Sequence, residues 1–257
     1  MTTGFAIVEG VCRPLEDATL PLSDLSILSG WSVFETFVVR SDELPRSWET
    51  HTDRLLTSCT RALLPKPDLD VLKVEVLECA RRCGYPSRVR VTVTGSGRHF
   101  TIATPLDEKR KHQDVRAVTA QHWPDPLLGD AKHSSRCGWV VARQRSGADE
   151  VIWLDHDGAM TEGTQSGVLA VQGGTLWTAP HDGSILVSTT VLSILERAAA
   201  LGIPIRRERP RLTPALSGLY IASVTRDIAP VVELDGEPLP DWEPLGRAIA
   251  DLSVDAS

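Results

Sequence analysis

Arg88-Val89-Arg90-Val91-Thr92-Val93-Thr94 alternates strictly between polar and apolar side chains and runs into Gly95-Ser96-Gly97. A period of two is the mark of a β-strand with one buried face, and such a strand needs partners. The chain offers them in Phe5-Ala6-Ile7-Val8, ending at Gly10, and in Val33-Phe34-Glu35-Thr36-Phe37-Val38-Val39, which breaks at Ser41-Asp42-Glu43. Between these strands the period changes. Leu55, Cys59, Ala62 and Leu63 share one side of a helix expected over residues 51–64, which Pro65 and Pro67 end. A second amphipathic helix is expected over 69–82, closed by Gly84 and Pro86.

A further strand is expected at 115–119, and the Pro-rich Trp123-Pro124-Asp125-Pro126 reads as a hinge. Beyond it the pattern predicts a helix over 133–145 and strands at 150–154, 168–171 and 175–178. Asp157-Gly158 and Gly173-Gly174 separate these strands as hairpin turns. A helix over 191–201 ends at Gly202, strands follow at 219–223 and 231–234 with an Asp235-Gly236 turn, and a last helix is expected over 244–252. The fold class is α/β or α+β in two halves. The expected boundaries are a small α/β domain at 1–118, a hinge at 119–131 and a larger domain at 132–257.

The 257 residues suffice for one large domain or two modest ones. The net charge of -7 argues against a nucleic-acid binder. The basic runs Lys109-Arg110-Lys111-His112 and Arg206-Arg207-Glu208-Arg209 are short and read as solvated loop charge. No apolar run approaches the roughly 18–20 residues of a membrane span, and the first residues make a poor signal peptide. The five cysteines show no CxxC; Cys79 and Cys83 could share a helix face but do not complete a zinc site. A cytoplasmic protein with reduced thiols and no bound metal is expected.

Single residues carry little alone. Lys132, before a predicted helix, reads as a surface lysine; Glu162 in Thr161-Glu162-Gly163-Thr164 reads as loop charge; Thr189-Thr190 reads as a helix N-cap, a place that also suits a phosphate. Their order changes this. Ser32-Val33-Phe34-Glu35-Thr36, His51-Thr52-Asp53-Arg54-Leu55, Lys132-His133-Ser134-Ser135-Arg136, Met160-Thr161-Glu162-Gly163-Thr164, Ser188-Thr189-Thr190 and Ala222-Ser223-Val224-Thr225-Arg226 follow one another in register. Over roughly residues 20 to 250 the chain resembles the class IV aminotransferases. These are the fold-type IV pyridoxal-phosphate enzymes, which include D-amino-acid and branched-chain aminotransferases and aminodeoxychorismate lyase.

The resemblance implies pyridoxal 5'-phosphate held between a small α/β domain and a larger β-rich one, in a homodimer. It implies Lys132 as the Schiff-base lysine and Cα proton shuttle, Glu162 at the pyridine nitrogen, and Arg54, Thr189, Thr190, Ser223 and Thr225 around the phosphate. Phe34, Arg98 and His99 would meet the substrate, an amino acid or related amino carboxylate, with Arg98 on its carboxylate. Departures stand beside these matches. Gly30-Trp31-Ser32 replaces a Gly-Asp-Gly, Ser188 a glycine, Val191 an arginine, Gly167 an asparagine, and Cys137 the tyrosine of branched-chain members. Transamination is the leading activity. Pyruvate elimination from 4-amino-4-deoxychorismate to 4-aminobenzoate is the alternative, and a non-catalytic relative the third.

Overall fold

A computed structural model describes residues 4–122 and 125–239. Trp123 and Pro124 of the expected hinge, and the helix expected over 244–252, lie outside them. The chain divides into two units. One holds the residues up to Asp107 together with Asp130–Arg136; the other holds Glu108–Gly129 and the chain from Cys137 onward. This differs from the boundaries expected at 118 and 131, and backbone pairing explains why. The strand that starts at Val115 hydrogen-bonds into the second unit's sheet, whereas residues 132–134 bond back to the first unit.

The first unit is built on an antiparallel sheet of β1 (Phe5–Val8), β2 (Val11–Pro14), β3 (Ser32–Val39), β4 (Ser87–Thr94) and β5 (His99–Pro105), in the order β2-β1-β5-β4-β3. β3 and β4 pair along their whole length, from Ser32 opposite Thr94 to Val39 opposite Ser87. The alternation in β4 therefore sets Val89, Val91 and Val93 on one face with Glu35 and Phe37 of β3, and all three valines are buried. Helices α2 (Trp48–Arg61) and α3 (Leu69–Cys83) cover that face, with Trp48 stacked on Phe37 at 5.0 Å. Each buried valine or leucine there contributes roughly 1.5–3 kcal/mol. Asp68 caps α3 by accepting from the Asp70 and Val71 N–H groups, and Gly84 ends it at φ 92°. A one-turn helix, α1 (Leu25–Leu28), precedes β3.

The second unit carries β6 (Val115–Gln121), α4 (Cys137–Ser146), β7 (Glu150–Leu154), β8 (Met160–Gly163), β9 (Gly167–Gln172), β10 (Thr175–Thr178), α5 (Thr189–Ala200), β11 (Ile205–Arg207), β12 (Leu216–Ser223), β13 (Asp227–Leu234) and β14 (Glu237–Pro238). Six strands follow one another as β9-β12-β13-β6-β7-β8, and β8 returns to β9 through the pair Glu162–Gly167, closing the ring. Alternation splits the side chains. Ile152, Met160, Val168, Ala170, Ile221 and Val231 form one core, while Leu169, Val171, Tyr220 and Ala222 pack with Ile194 and Leu195 of α5 in another. No helix among the described residues is long and apolar enough to cross a membrane.

Two local expectations are corrected. The helix expected from His133 starts at Cys137, because residues 132–134 are extended along the open edge of β3. Glu162, expected in a loop, stands on β8.

Candidate active site

Lys132 owes its place to the edge of β3. An edge strand leaves alternate N–H and C=O groups open, and the segment from Lys132 to Ser134 satisfies them. Phe34 N–H donates to the Lys132 carbonyl at 2.8 Å, Val33 bridges to His133, and Ser134 N–H donates to the Ser32 carbonyl at 2.9 Å. From α2, the Ser58 hydroxyl oxygen accepts the Lys132 N–H at 2.9 Å. The backbone on both sides of Lys132 is thus fixed to two elements. Its Nζ lies 5.1 Å from the centre of the Phe34 ring.

Phe34 gathers two more cations. The Arg90 guanidinium stacks 3.6 Å from the ring centre and that of Arg136 lies at 5.2 Å. Arg90 donates only to hydroxyls, Thr92 Oγ1 at 3.3 Å and Ser134 Oγ at 3.2 Å, and among the described residues no carboxylate pairs with it. Burial, with Arg136 and Arg88 nearby, pulls its pKa down to about 10. Three cationic side chains therefore meet at the Phe34 ring.

On the helix-covered face, Arg54 forks onto Glu35: Nε donates to Oε2 at 2.8 Å and an Nη to Oε1 at 2.7 Å. Glu35 is 0% exposed, takes the Thr36 N–H at 2.7 Å, and has His51 Nδ1 at 3.1 Å from Oε1. Burial acts to raise the Glu35 carboxyl, but the Arg54 charge and the neighbouring His51 outweigh it and hold it well below the usual carboxylate range. His51 is pushed down, chiefly by its own burial. Arg54 is therefore aimed by a buried carboxylate, which the sequence reading did not single out. The available signal was an acid within an otherwise apolar strand, one residue from Phe34.

Arg98 and His99 occupy different surroundings. Arg98 Nε lies 3.1 Å from Glu9 Oε1, and another of its nitrogens 3.6 Å from the buried Asp24. His99 pairs with Val93, so it shares the helix-covered face, where its Nε2 lies 3.2 Å from Glu75. Hydrogen bonding to Glu75 raises its pKa. His99 therefore faces away from Phe34, whereas Arg98, whose carbonyl takes the Thr94 N–H, lies on the Phe34 side of the sheet with its guanidinium turned to Glu9 and Asp24.

In the second unit Gly167 is the meeting point. It pairs with Glu162 on one side and Ala222 on the other, and its α-carbon faces Val191 and Ser188. Glu162, the start of α5 and the turn after β12 therefore lie together. Ser188 caps α5, accepting the Val191 N–H at 3.3 Å, and Thr189 and Thr190 begin the helix, both buried. The positive end of a helix dipole favours an anion. Ser223 and Thr225 flank a turn closed by the Arg226 N–H to the Ser223 carbonyl at 3.2 Å. Three departures also meet here. A side chain on Gly167 would come within 2.6 Å of Val191 Cγ2 and 3.0 Å of Ser188 Cβ, so the residues at 188 and 191 fill the space an asparagine would need.

A family model described as amino-transferase class IV matches residues 32–234. D-Alanine aminotransferase of Staphylococcus aureus is 30% identical over 264 residues, covering 91% of each chain. A bifunctional aminodeoxychorismate lyase / D-amino acid transaminase of Mycobacterium tuberculosis is 28% identical over 275 residues, covering 93% of each. A hypothetical aminotransferase from M. tuberculosis, solved in a PLP-bound form, superposes with a TM-score of 0.85 at 25% identity, over 97% of this chain and 96% of that one.

Proposed function

Because the chain belongs to the class IV aminotransferases, we propose that it is a pyridoxal-phosphate enzyme transferring the amino group of an amino carboxylate, with Lys132 as the amine that bonds the cofactor. The observation that carries this reading is the fixing of Lys132 by β3 and α2, with its amine beside Phe34. The donor set fits the group. An amine suits its aldehyde, the Glu162 carboxylate its ring nitrogen, and Arg54 with Thr189, Thr190, Ser223 and Thr225 its phosphate. When bound, the cofactor supplies an electron sink for the charge left on breaking the substrate Cα–H bond.

The residues of the chain do the rest. The Lys132 amine would take and return the substrate Cα proton as general base and acid. Glu162 holds a proton on the ring nitrogen. Glu35 keeps the Arg54 fork oriented, so phosphate binding costs little side-chain entropy. Arg90, with Arg136, takes the substrate carboxylate beside Phe34, a role better supported for Arg90 than for Arg98, whose guanidinium faces two acids.

A panel of amino donors with a keto-acid acceptor tests the reading. Acceptor-dependent amino transfer supports it, and no transfer with any donor sinks it. The lyase reading is favoured by Arg136 beside Phe34 and by the bifunctional relative. Its sign is pyruvate released from 4-amino-4-deoxychorismate without any acceptor. A homodimer in the cytoplasm completes the proposal. Leu22, Ile27, Leu28 and Trp31 stand exposed within ten residues ahead of β3, and all five cysteines are free thiols.

A further inference from the structure

We propose that Glu150 is the positioning residue for Glu162: it fixes the turn after β8 and thereby the carboxylate offered to a pyridine nitrogen. The proposal rests on the cofactor reading above and deepens it. Glu150 opens β7 and is only 3% exposed. A buried carboxylate is costly unless its lone pairs are used, and every donor that uses these is a neighbour of Glu162 or of Glu150 itself. Oε1 accepts the Val151 and Thr164 N–H groups at 3.0 Å each, and also the Thr164 hydroxyl. Oε2 accepts the Ser166 hydroxyl at 2.8 Å. One main-chain bond closes the same turn, Gly163 N–H to the Ser166 carbonyl at 2.8 Å, and a second ties it to β7, Thr164 N–H to the Val151 carbonyl at 3.1 Å.

Gly163 supports this assignment. A Cβ there would meet the Ser166 hydroxyl first and stand 3.0 Å from Glu150 Cδ and Oε2, so the residue after Glu162 is kept bare for the Ser166–carboxylate pair. Glu162 is thus held from two sides, by its pairing with Gly167 and by the carboxylate that anchors Thr164 and Ser166. Glu150 touches neither substrate nor cofactor in this account and acts through Thr164 and Ser166.

The test compares Glu150→Ala and Glu150→Gln with the wild-type protein. Glutamine keeps the shape: its oxygen can accept the bonds now made to Oε1, while its amide donates to Ser166. In the apo-protein, Glu150→Ala should speed amide exchange at residues 163–167 by about tenfold or more, leaving β4 and α5 unchanged, and weaken PLP binding by about tenfold or more. Glu150→Gln should stay within about threefold of wild type in both measurements. Should the alanine at 150 fail to fold, Ser166→Ala removes a single donor and should move both readouts the same way, less far. Unchanged exchange across the turn, or exchange raised equally throughout the molecule, overturns the proposal. A wild-type protein that takes up no PLP refutes the cofactor reading instead, and the exchange measurement still decides whether Glu150 holds the turn.

Discussion

At Glu35 the chain buries a full negative charge and surrounds it with Arg54, His51 and its own neighbour's N–H. Removing one partner of such a pair strands the other, so Glu35→Gln should destabilise the protein by about 3–5 kcal/mol at neutral pH. The folded-state pKa of Glu35 lies below its ordinary value of 4.5. Its contribution is therefore fully present above that value and is lost as pH falls from it toward the folded pKa. Denaturant titrations at pH 7 and pH 3 should show the gap between wild type and Glu35→Gln shrinking at the lower pH. Arg90 has the opposite role, a desolvated cation stacked on Phe34 and bonded to hydroxyls, with no carboxylate partner among the described residues. Arg90→Gln should raise KM for amino carboxylates about 10- to 100-fold with a smaller change in kcat. Arg98→Ala should leave KM nearly unchanged; the reverse pattern would return the carboxylate to Arg98. Motif order singled out Lys132, Arg54 and Glu162 as candidates. Glu35 and Glu150 were not singled out, because each is an acid in or at the start of an apolar strand whose side-chain partners come from other elements, 14 to 19 residues along the chain.

Among the elements, strands with strict alternation and helices closed by glycine or proline were readable, as β4 and α3 show. The stretch before α4 was not. Residues 133–136 have helix-compatible composition, but the open edge of β3 offers their backbone groups better partners than a first helical turn does. β8 was missed for a related reason: four residues carry too little pattern, and its place is set by closure of the ring. The contact of Gly167 with Val191 and Ser188 turns three separate departures into one exchange. Gly167→Asn alone should cost about 1–3 kcal/mol through overpacking. Joined to Ser188→Gly and Val191→Arg, its cost should fall by more than simple addition allows, which thermal denaturation of the single and triple variants would reveal.

For the whole molecule, backbone hydrogen bonding and not composition assigns residues 108–129 and 130–136 to their units. If the exposed apolar residues ahead of β3 meet a second copy, sizing should give a dimer and Tm should rise with protein concentration. Monomeric protein with full activity would contradict this. The cofactor assignment is open to a direct chemical measurement. PLP-loaded protein is reduced with borohydride, digested, and the labelled peptide located by mass. The account predicts one phosphopyridoxyl group on Lys132 and none in Lys132→Ala. Protein that takes no label, or carries it on another lysine while Lys132 stays unmodified, would contradict it.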